Sequence, residues 1–328
     1  MAIIRKNILT DTASRDKFIH GALLLKQEAS GQTTADFGMP GRPQSVSTYD
    51  LFVIWHHTAM MTLTPSGNAA GRNAAHRGPV FCPWHRVMLI LFEQNLQRVL
   101  GDSNFGLPYW SWGQDGDLPT AQQLTAAIWN ADCLGGQGNP VTTGPFAFNA
   151  ADPNSWRVRV AANASGDLLP VNRGLRRRFA SSVVTGLPKN AHVAAALMLD
   201  AYDASMWDTS SNGFRNRLEG WSADPGFQAP WLHNAVHVWV GGDMSPSTSP
   251  NDPVFYLNHC NVDRIWEGWL TQNGRSYVPD RDADASLKGQ RIDDPIDSPM
   301  GNDMTPRQVL DVSSIYKYDA PVQPVGVA

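Results

Sequence analysis

The sequence has few cysteines, and they form no recognisable pattern. Cys82, Cys133 and Cys260 are the only three among 328 residues, and no two have the C-x-x-C spacing. A disulfide framework needs an even set of cysteines, and a zinc ribbon needs closely spaced pairs. Neither class of protein is supported.

The chain also lacks a large excess of charge of either sign and has no long apolar run. The chain has 26 Lys and Arg against 30 Asp and Glu, a net charge of −4, and its longest basic run is residues 176–178. This argues against a nucleic acid or an anionic membrane surface as the main partner. No stretch approaches the ~20 apolar residues of a membrane span, and the N-terminus lacks the apolar core of a signal peptide. We therefore expect a cytoplasmic protein, with export alongside a partner that carries its own signal left open.

The composition is that of a folded protein with a sizeable core, since 42% of the residues are hydrophobic and 17% are charged. There is no internal repeat and no clear linker, so residues 1–328 are expected to form a single domain. Helical periodicity is strongest in four segments, and every one of them contains histidine. The expected fold is mainly α, with a central antiparallel four-helix bundle, long irregular loops and little strand.

The ends of these helices carry start and stop signals. Ser47 is a candidate N-cap of the first helix, Pro83 begins the second, and Asp252 with Pro253 opens the fourth. The third covers about residues 230–240. Glycines that can end a helix follow the last three helices, at Gly101, Gly241, Gly242 and Gly274.

Between the second and third of these helices the pattern is weaker. Short helices are expected around residues 121–129 and 191–204, and a strand around residues 156–160. Residues 309–318 are expected to pack back onto the core.

The histidines are concentrated in these helical segments. His233 and His237 are four residues apart, so they project from one face of a helix, and His259 lies on the next helix. Three imidazoles that converge from two adjacent helices can form a nitrogen-only metal site.

A second histidine triad is present in the first half of the chain. His56 lies on the first helix, His76 in the loop after it, and His85 at the start of the second helix. His57 is the alternative to His56. Buried imidazoles need partners for both nitrogens, so two such triads on paired helices are hard to explain as core residues. They predict a dinuclear metal centre.

The ligand type favours copper. All-imidazole sites suit copper, zinc, iron or nickel, and the divalent affinity order peaks at copper. Dinuclear hydrolytic zinc or manganese sites usually include a bridging carboxylate, and neither an H-E-x-x-H nor a D-x-H motif is visible near these histidines. Two copper ions are therefore the expected cofactors.

The segments around the histidines resemble tyrosinases and their relatives, the type 3 copper proteins. They read YDLFVIWH at residues 49–56, HRGPVFCPWHR at 76–86, LHNAVHVWVGG at 232–242 and SPNDPVFYLNH at 249–259. Leu-Pro-Tyr-Trp at residues 107–110 and the pair Tyr316 and Tyr318 also match. The similarity spans nearly the whole chain and is that of the bacterial-type tyrosinase, catechol oxidase and o-aminophenol oxidase family.

The resemblance implies six copper ligands and two supporting rings. The first copper ion would be bound by His56, His76 and His85. The second would be bound by His233, His237 and His259. Phe81 and Phe255 would pack on the ligand rings and hold them.

The resemblance also implies residues that act on the substrate. Glu219 and Asn234 would hold a water molecule that is able to deprotonate an incoming phenol. The residues implied for the substrate pocket are Val238, Met244, Pro246 and Ser247.

The activity implied is oxidation with O2 as co-substrate: ortho-hydroxylation of monophenols and oxidation of o-diphenols to o-quinones. A catechol oxidase or an o-aminophenol oxidase without effective monophenol hydroxylation is the alternative, and an oxygen carrier is a more distant one. The expected substrate is a small phenol or o-aminophenol. A small helper protein that delivers copper is a candidate partner.

Some positions have further consequences under the resemblance. Many relatives have a second histidine where this chain has Asn258, and the ligand is then His259. Some relatives carry a cysteine cross-linked to histidine where this chain has Ala74, so that link cannot form here. Arg5 is expected to contact the Tyr316 and Tyr318 pair by a cation–π interaction and so tie the chain ends together.

Overall fold

The computed structural model describes residues 2–222, 230–299, 301 and 303–322, and helices dominate them. The α-helices are Thr12–Gln27 (α1), Thr48–Met61 (α2), Phe81–Leu100 (α3), Trp112–Gly116 (α4), Thr120–Gln123 (α5), Asn190–Leu197 (α6), Phe214–Glu219 (α7), Leu232–Val240 (α8) and Val254–Gln272 (α9). The strands are Ile3–Arg5 (β1), Ala29–Thr33 (β2), Ser45–Ser47 (β3), Val158–Ala162 (β4), Leu168–Arg173 (β5) and Tyr316–Tyr318 (β6). The fold is mainly α, as predicted.

The strands form small two-stranded sheets. β2 pairs with β3 and β4 with β5, both antiparallel, whereas β1 and β6 are parallel. Short 3-10 helices occupy Thr34–Phe37, Ala127–Trp129, Gly242–Met244, Ser249–Asn251, Ala285–Leu287 and Pro306–Val309. Within the described ranges, no helix is both long and apolar enough to cross a membrane.

The four helices predicted from periodicity are α2, α3, α8 and α9, and their start signals act largely as predicted. The Ser47 side chain accepts a hydrogen bond from the backbone N–H of Asp50, 3.1 Å away, which caps α2. α3 begins at Phe81, two residues before the predicted start at Pro83. α9 begins at Val254, whose N–H donates to the Asp252 carboxylate at 3.1 Å.

Glycine ends α3 as predicted. Gly101 follows the helix with φ of 61°, in the left-handed region where a side chain would be strained. Gly274, two residues beyond α9, has φ of 71°. Gly241 follows α8 with φ of 62°. The glycines therefore set the directions in which the chain leaves the helices that carry the histidines.

The helix α1 was not predicted, and its sequence explains why. The side chain of Asp11 caps it, but its buried positions include Gly21 and Lys26, which do not stand out in an apolar pattern. A Cβ atom on Gly21 would lie 2.7 Å from Cδ2 of Leu96, so the glycine lets α1 approach α3 closely. Lys26 is held in the core by an ion pair with Asp50 of α2.

The intermediate elements were predicted with less accurate bounds. The 3-10 helix at Ala127–Trp129 lies inside the predicted range 121–129, and α5 begins at Thr120, one residue before that range. α6 ends at Leu197, seven residues before the predicted end at residue 204. The expected strand is β4, shifted by two residues to Val158–Ala162 and paired with β5.

The chain ends meet as expected, through the sheet of β1 and β6. Arg5 is fully buried, and its guanidinium carbon lies 3.5 Å from the ring centroid of Tyr316. Its Nη1 donates to the hydroxyl of Tyr318 at 3.2 Å, and its Nε forms an ion pair with Glu93 at 2.9 Å. The cation–π prediction is confirmed, and the buried cation is also neutralised by carboxylates.

Candidate metal centre

His56, His76 and His85 form the first of two histidine clusters, with one ring nitrogen of each within 4.8 Å of the others. Nδ1 of His56 donates to the carbonyl of Ser247 at 2.6 Å, and Nδ1 of His85 donates to the carbonyl of Phe81 at 2.8 Å. Because a carbonyl only accepts, the hydrogen is on Nδ1, and Nε2 of each ring carries a lone pair. Both Nε2 atoms are buried without a hydrogen-bond partner among the described residues.

His233, His237 and His259 form the second cluster. Nδ1 of His233 donates to the carbonyl of Glu219 at 3.2 Å, and Nδ1 of His237 donates to the carbonyl of Met244 at 2.6 Å. Their Nε2 atoms lie 3.2 and 3.3 Å from Nε2 of His259.

The close approach of these three Nε2 atoms indicates a binding site for a cation. Nε2 of His259 carries at most one hydrogen, so it can satisfy at most one of the two lone pairs that face it. A metal ion bound to imidazole at ~2.0–2.1 Å in tetrahedral geometry separates its ligand nitrogens by roughly 3.3 Å, which is close to the observed spacing. The residues present therefore fit a metal ion at this position.

The two clusters face each other. The rings of His85 and His259 are stacked, with centroids 4.1 Å apart and planes inclined by 12°. The rings of His76 and His233 also face across the gap, 6.2 Å apart. Two metal ions held in this way would be close enough to act together.

Two phenylalanines pack on the histidine rings from both sides. Phe81 lies 4.8 Å from His85 and 4.9 Å from His233, and Phe255 lies 4.9 Å from His56 and 4.1 Å from His259. Each phenylalanine contacts both clusters. The rings are thus held by packing as well as by hydrogen bonds, the arrangement that orients metal ligands elsewhere.

Burial keeps the histidines in the neutral form that binds metal. It lowers the pKa of His56 to about 3 and the pKa of His237 to about 4. The pKa values of the other four, at His76, His85, His233 and His259, are also held well below the usual value, first by burial and then by neighbouring imidazoles. Two all-imidazole sets without a carboxylate are a donor arrangement that suits copper.

A helical core with paired trihistidine clusters is the architecture of a type 3 copper protein, and comparison with known proteins agrees. Residues 46–272 match the family model described as the common central domain of tyrosinase. The chain is 35% identical over 322 residues to a tyrosinase of Streptomyces glaucescens, covering 96% of this chain and 98% of that protein.

Two further similarities extend over almost the whole chain. The grixazone synthase of Streptomyces griseus subsp. griseus is 33% identical over 349 residues, covering 97% of this chain and 100% of that protein. The structure of a polyphenol oxidase from Thermothelomyces thermophila superposes with a TM-score of 0.69 at 20% identity, covering 97% of this chain and 88% of that one. The chain belongs to the tyrosinase family, and it is a type 3 copper oxidoreductase whose cofactors are two copper ions.

His57 lies outside both clusters. Its Nδ1 is 2.7 Å from the hydroxyl oxygen of Ser247, whereas its neighbour His56 lies with His76 and His85. The structure therefore brings together the triad that contains His56.

Glu219 and Asn234 meet at the same metal-site histidine. Nδ1 of His233 is 3.0 Å from Oδ1 of Asn234 and also contacts the backbone carbonyl of Glu219. The carboxyl group of Glu219 is fully buried, and burial raises its pKa although the Arg215 guanidinium beside it acts in the opposite direction. The second cluster is thus contacted by the backbone carbonyl of Glu219 and by the side-chain amide of Asn234.

The four residues implied for the substrate pocket differ in exposure. Val238 and Ser247 are half-buried and Pro246 is exposed. The side chain of Met244 is fully buried, and its contact with the centre is made by the backbone carbonyl that accepts from His237.

Sequence patterns did not point to the polar residues that hold Glu219. Arg215 lies four residues earlier on α7, and its Nη1 contacts Oε2 of Glu219 at 3.1 Å while its Nε donates to Asp203 at 2.7 Å. The backbone N–H of Arg77 donates to Oε1 of Glu219 at 2.7 Å. The i, i+4 spacing of Arg215 and Glu219 was a signal that could have been used; nothing in the sequence marks Asp203.

Proposed function

We propose that this chain uses O2 to hydroxylate monophenols at the ortho position and to oxidise o-diphenols to o-quinones. The observation that carries the proposal is the pair of facing trihistidine clusters, in which rings are neutral, oriented by carbonyls and short of partners at Nε2. We assign the first copper ion to the cluster of His56, His76 and His85. We assign the second copper ion to the cluster of His233, His237 and His259.

The bound copper pair supplies the two-electron redox capacity and the Lewis acidity that the reaction needs. One O2 accounts for one monophenol converted to o-quinone and one water, or for two o-diphenols converted to two o-quinones and two waters. The protein's own residues orient the ligands, exclude bulk water and handle the phenol proton.

Glu219 is the residue that we assign to the phenol proton. A phenol has a pKa near ~10, so it is protonated at neutral pH and needs a base before its oxygen can bind a metal. The buried carboxyl group of Glu219 has a raised pKa, which makes its carboxylate a stronger base than an exposed one. Asn234 is the second residue that we assign to this step: its Oδ1 lies 3.0 Å from Nδ1 of His233, the ring that the backbone carbonyl of Glu219 also contacts, and we propose that the two side chains share a water molecule that takes the proton.

A second candidate activity uses the same metals. Oxidation of o-diphenols or o-aminophenols without monophenol hydroxylation needs no base for a monophenol. Similarity does not separate the two activities, because the chain is 35% identical to a tyrosinase and 33% identical to grixazone synthase.

Oxygen uptake tests the proposal directly. The copper-loaded protein is given a simple monophenol with a trace of catechol to shorten any lag. Sustained uptake with coloured product supports monophenol hydroxylation. Uptake that stops when the catechol is consumed supports the second candidate, and reversible O2 binding without quinone would contradict both.

We also propose that a small helper protein delivers the copper. Five of the six histidines are buried and His237 is partly exposed, so free copper ions have to pass through packed protein to reach at least the first cluster. The metal-free protein is incubated with a copper salt alone, and bound metal is counted. Slow or incomplete loading supports a helper, whereas rapid loading to two copper ions per chain contradicts the need for one.

A further inference from the structure

Two consecutive histidines of α2 both contact Ser247, a residue of the loop that follows α8. His56 donates from Nδ1 to the carbonyl of Ser247 at 2.6 Å, and Nδ1 of His57 lies 2.7 Å from the hydroxyl of the same serine. Ser247 lies in residues 241–251, which form most of the connection between α8 and α9 and are here called the entrance loop. Its backbone and its side chain are therefore bound by different histidines.

The entrance loop has few other attachments at its middle. Near its start, Asp243 forms a two-bonded ion pair with Arg173 of β5, at 2.6 and 2.7 Å. At its end, the amide of Asn251 donates to the carbonyl of Val160 in β4 at 2.8 Å. The hairpin of β4 and β5 thus anchors both ends. Two contacts join the loop to α2: the hydroxyl of Tyr49 donates to the carbonyl of Pro250 at 2.8 Å near the end, and the two histidines hold Ser247 at the middle.

The same hairpin supports His57 from the other side. The ring interacts with the backbone of Gly166, in the turn between β4 and β5. A Cβ atom on Gly166 would lie 2.7 Å from the terminal methyl of Met61, so this turn packs tightly on the last turn of α2. His57 is only 4% exposed, and it lies between the hairpin turn and the entrance loop.

We propose that His57 is a positioning residue that holds Ser247 and so fixes the middle of the entrance loop. The fixed loop then sets the width of the substrate entrance for ring-substituted o-diphenols. This inference rests on the proposed function, because it takes Ser247 as part of the wall of the substrate entrance.

Paired variants test the proposal kinetically. His57→Phe keeps a ring and removes both nitrogens, Ser247→Ala removes the hydroxyl, and Ser247→Thr retains it. Loss of one such hydrogen bond is expected to raise KM for a bulky o-diphenol about fivefold in each of the first two variants, with kcat within about twofold. Ser247→Thr should raise KM less than Ser247→Ala does, because it keeps the hydroxyl, and the matched control with unchanged kinetics is His20→Phe, at an exposed histidine of α1.

The double variant His57→Phe/Ser247→Ala distinguishes coupling from two separate effects. If both residues act through one bond, the double variant has about the same KM as either single variant. A KM that rises about 25-fold, the product of two fivefold effects, would overturn the proposal. Loss of copper or a fall in kcat at unchanged KM would also overturn it, because His57 would then act on His56 directly.

Hydrogen exchange provides a readout that does not depend on activity. In metal-free protein, amides of residues 241–251 are expected to exchange faster in His57→Phe and Ser247→Ala than in the parent and His20→Phe. Unchanged exchange in both variants contradicts the proposal. If the parent oxidises no o-diphenol, the proposed function fails, while the exchange result still decides whether His57 fixes the loop.

Discussion

Replacing Glu219 with Gln should separate monophenol hydroxylation from diphenol oxidation. Gln has nearly the same shape as Glu but is not a base, and its amide has one oxygen acceptor where the carboxylate has two. In the parent, Oε1 of Glu219 accepts from the backbone of Arg77 and Oε2 contacts Arg215. One of these donors therefore faces an NH2 group in the variant.

Glu219→Gln should destabilise the protein only moderately, because Arg215 has a second carboxylate partner. Asp203 remains paired with this guanidinium at 2.7 Å, so the buried cation is not left alone. One charge-assisted hydrogen bond is lost, a destabilisation of roughly 2 kcal/mol. For a chain of 328 residues, that lowers Tm by about 3 °C. The variant should fold and bind copper.

Activity should change far more than stability. Loss of a positioned general base slows the step that it serves by about 100-fold or more, so oxygen uptake with a monophenol should fall by at least that factor. Uptake with an o-diphenol should change by less than roughly threefold, because this step does not depend on the same base.

Asp203→Asn is the matched control for the effect of Arg215. It removes the other carboxylate on the same guanidinium and leaves Glu219 in place. It should lose stability to a similar degree and keep its ratio of monophenol to diphenol rates. Equal loss of both rates in Glu219→Gln, or a changed ratio in Asp203→Asn, would refute the assignment of Glu219 as the base.

Three other results follow from the structure. His237→Ala should bind one copper ion per chain instead of two and lose oxidase activity, as measured by metal analysis and oxygen uptake; two bound ions would contradict the ligand assignment. Arg177→Leu removes the guanidinium that contacts the buried carboxylate of Asp252 at 2.7 and 2.8 Å. The free energy of unfolding measured by urea titration should therefore fall by about 3–5 kcal/mol. A loss below about 1 kcal/mol would show that this pair is not important for stability. The hydrogen bond from Arg98 lowers the pKa of Glu28 from 4.5 to about 2, so the pair stabilises the protein above pH 4.5 and this contribution is lost as the pH falls towards 2. Both side chains are partly exposed, so the free energy of unfolding of the parent should exceed that of Glu28→Gln by less than about 1 kcal/mol at neutral pH. The two free energies should converge in acid. A difference that widens in acid would contradict this sign.

The sequence indicated much of the metal centre because helix geometry fixes where most of the clustered histidines point, although His76 lies in a loop between α2 and α3. His233 and His237 are one turn apart, and glycines and caps define the helices that carry the histidines. The direction of His57 could not be read in the same way. Consecutive residues on a helix point about 100° apart, and deciding which one faces the centre requires the positions of Ser247 and the other helices.

The parts that escaped prediction depend on contacts between distant segments. α1 is stabilised by packing of Gly21 on α3 and by the pair of Lys26 with Asp50, and neither contact leaves a local apolar period. The contact of Arg215 with Asp203 likewise joins α7 to a loop that carries no recognisable motif. Local sequence patterns predict helices, strands and the directions of metal ligands. Polar pairs between distant segments can be identified only once the folded structure is known.

The pairing of β1 with β6 has a consequence for how the chain matures. Arg5 is synthesised well before its partners Asp263, Tyr316 and Tyr318, the first of which lies 258 residues further along the chain. Until those residues have left the ribosome, the guanidinium cannot be buried without a large cost in desolvation. Contacts of such long sequence separation also form slowly. The N-terminal strand should therefore dock late, as the step that completes the fold after translation rather than one that starts it.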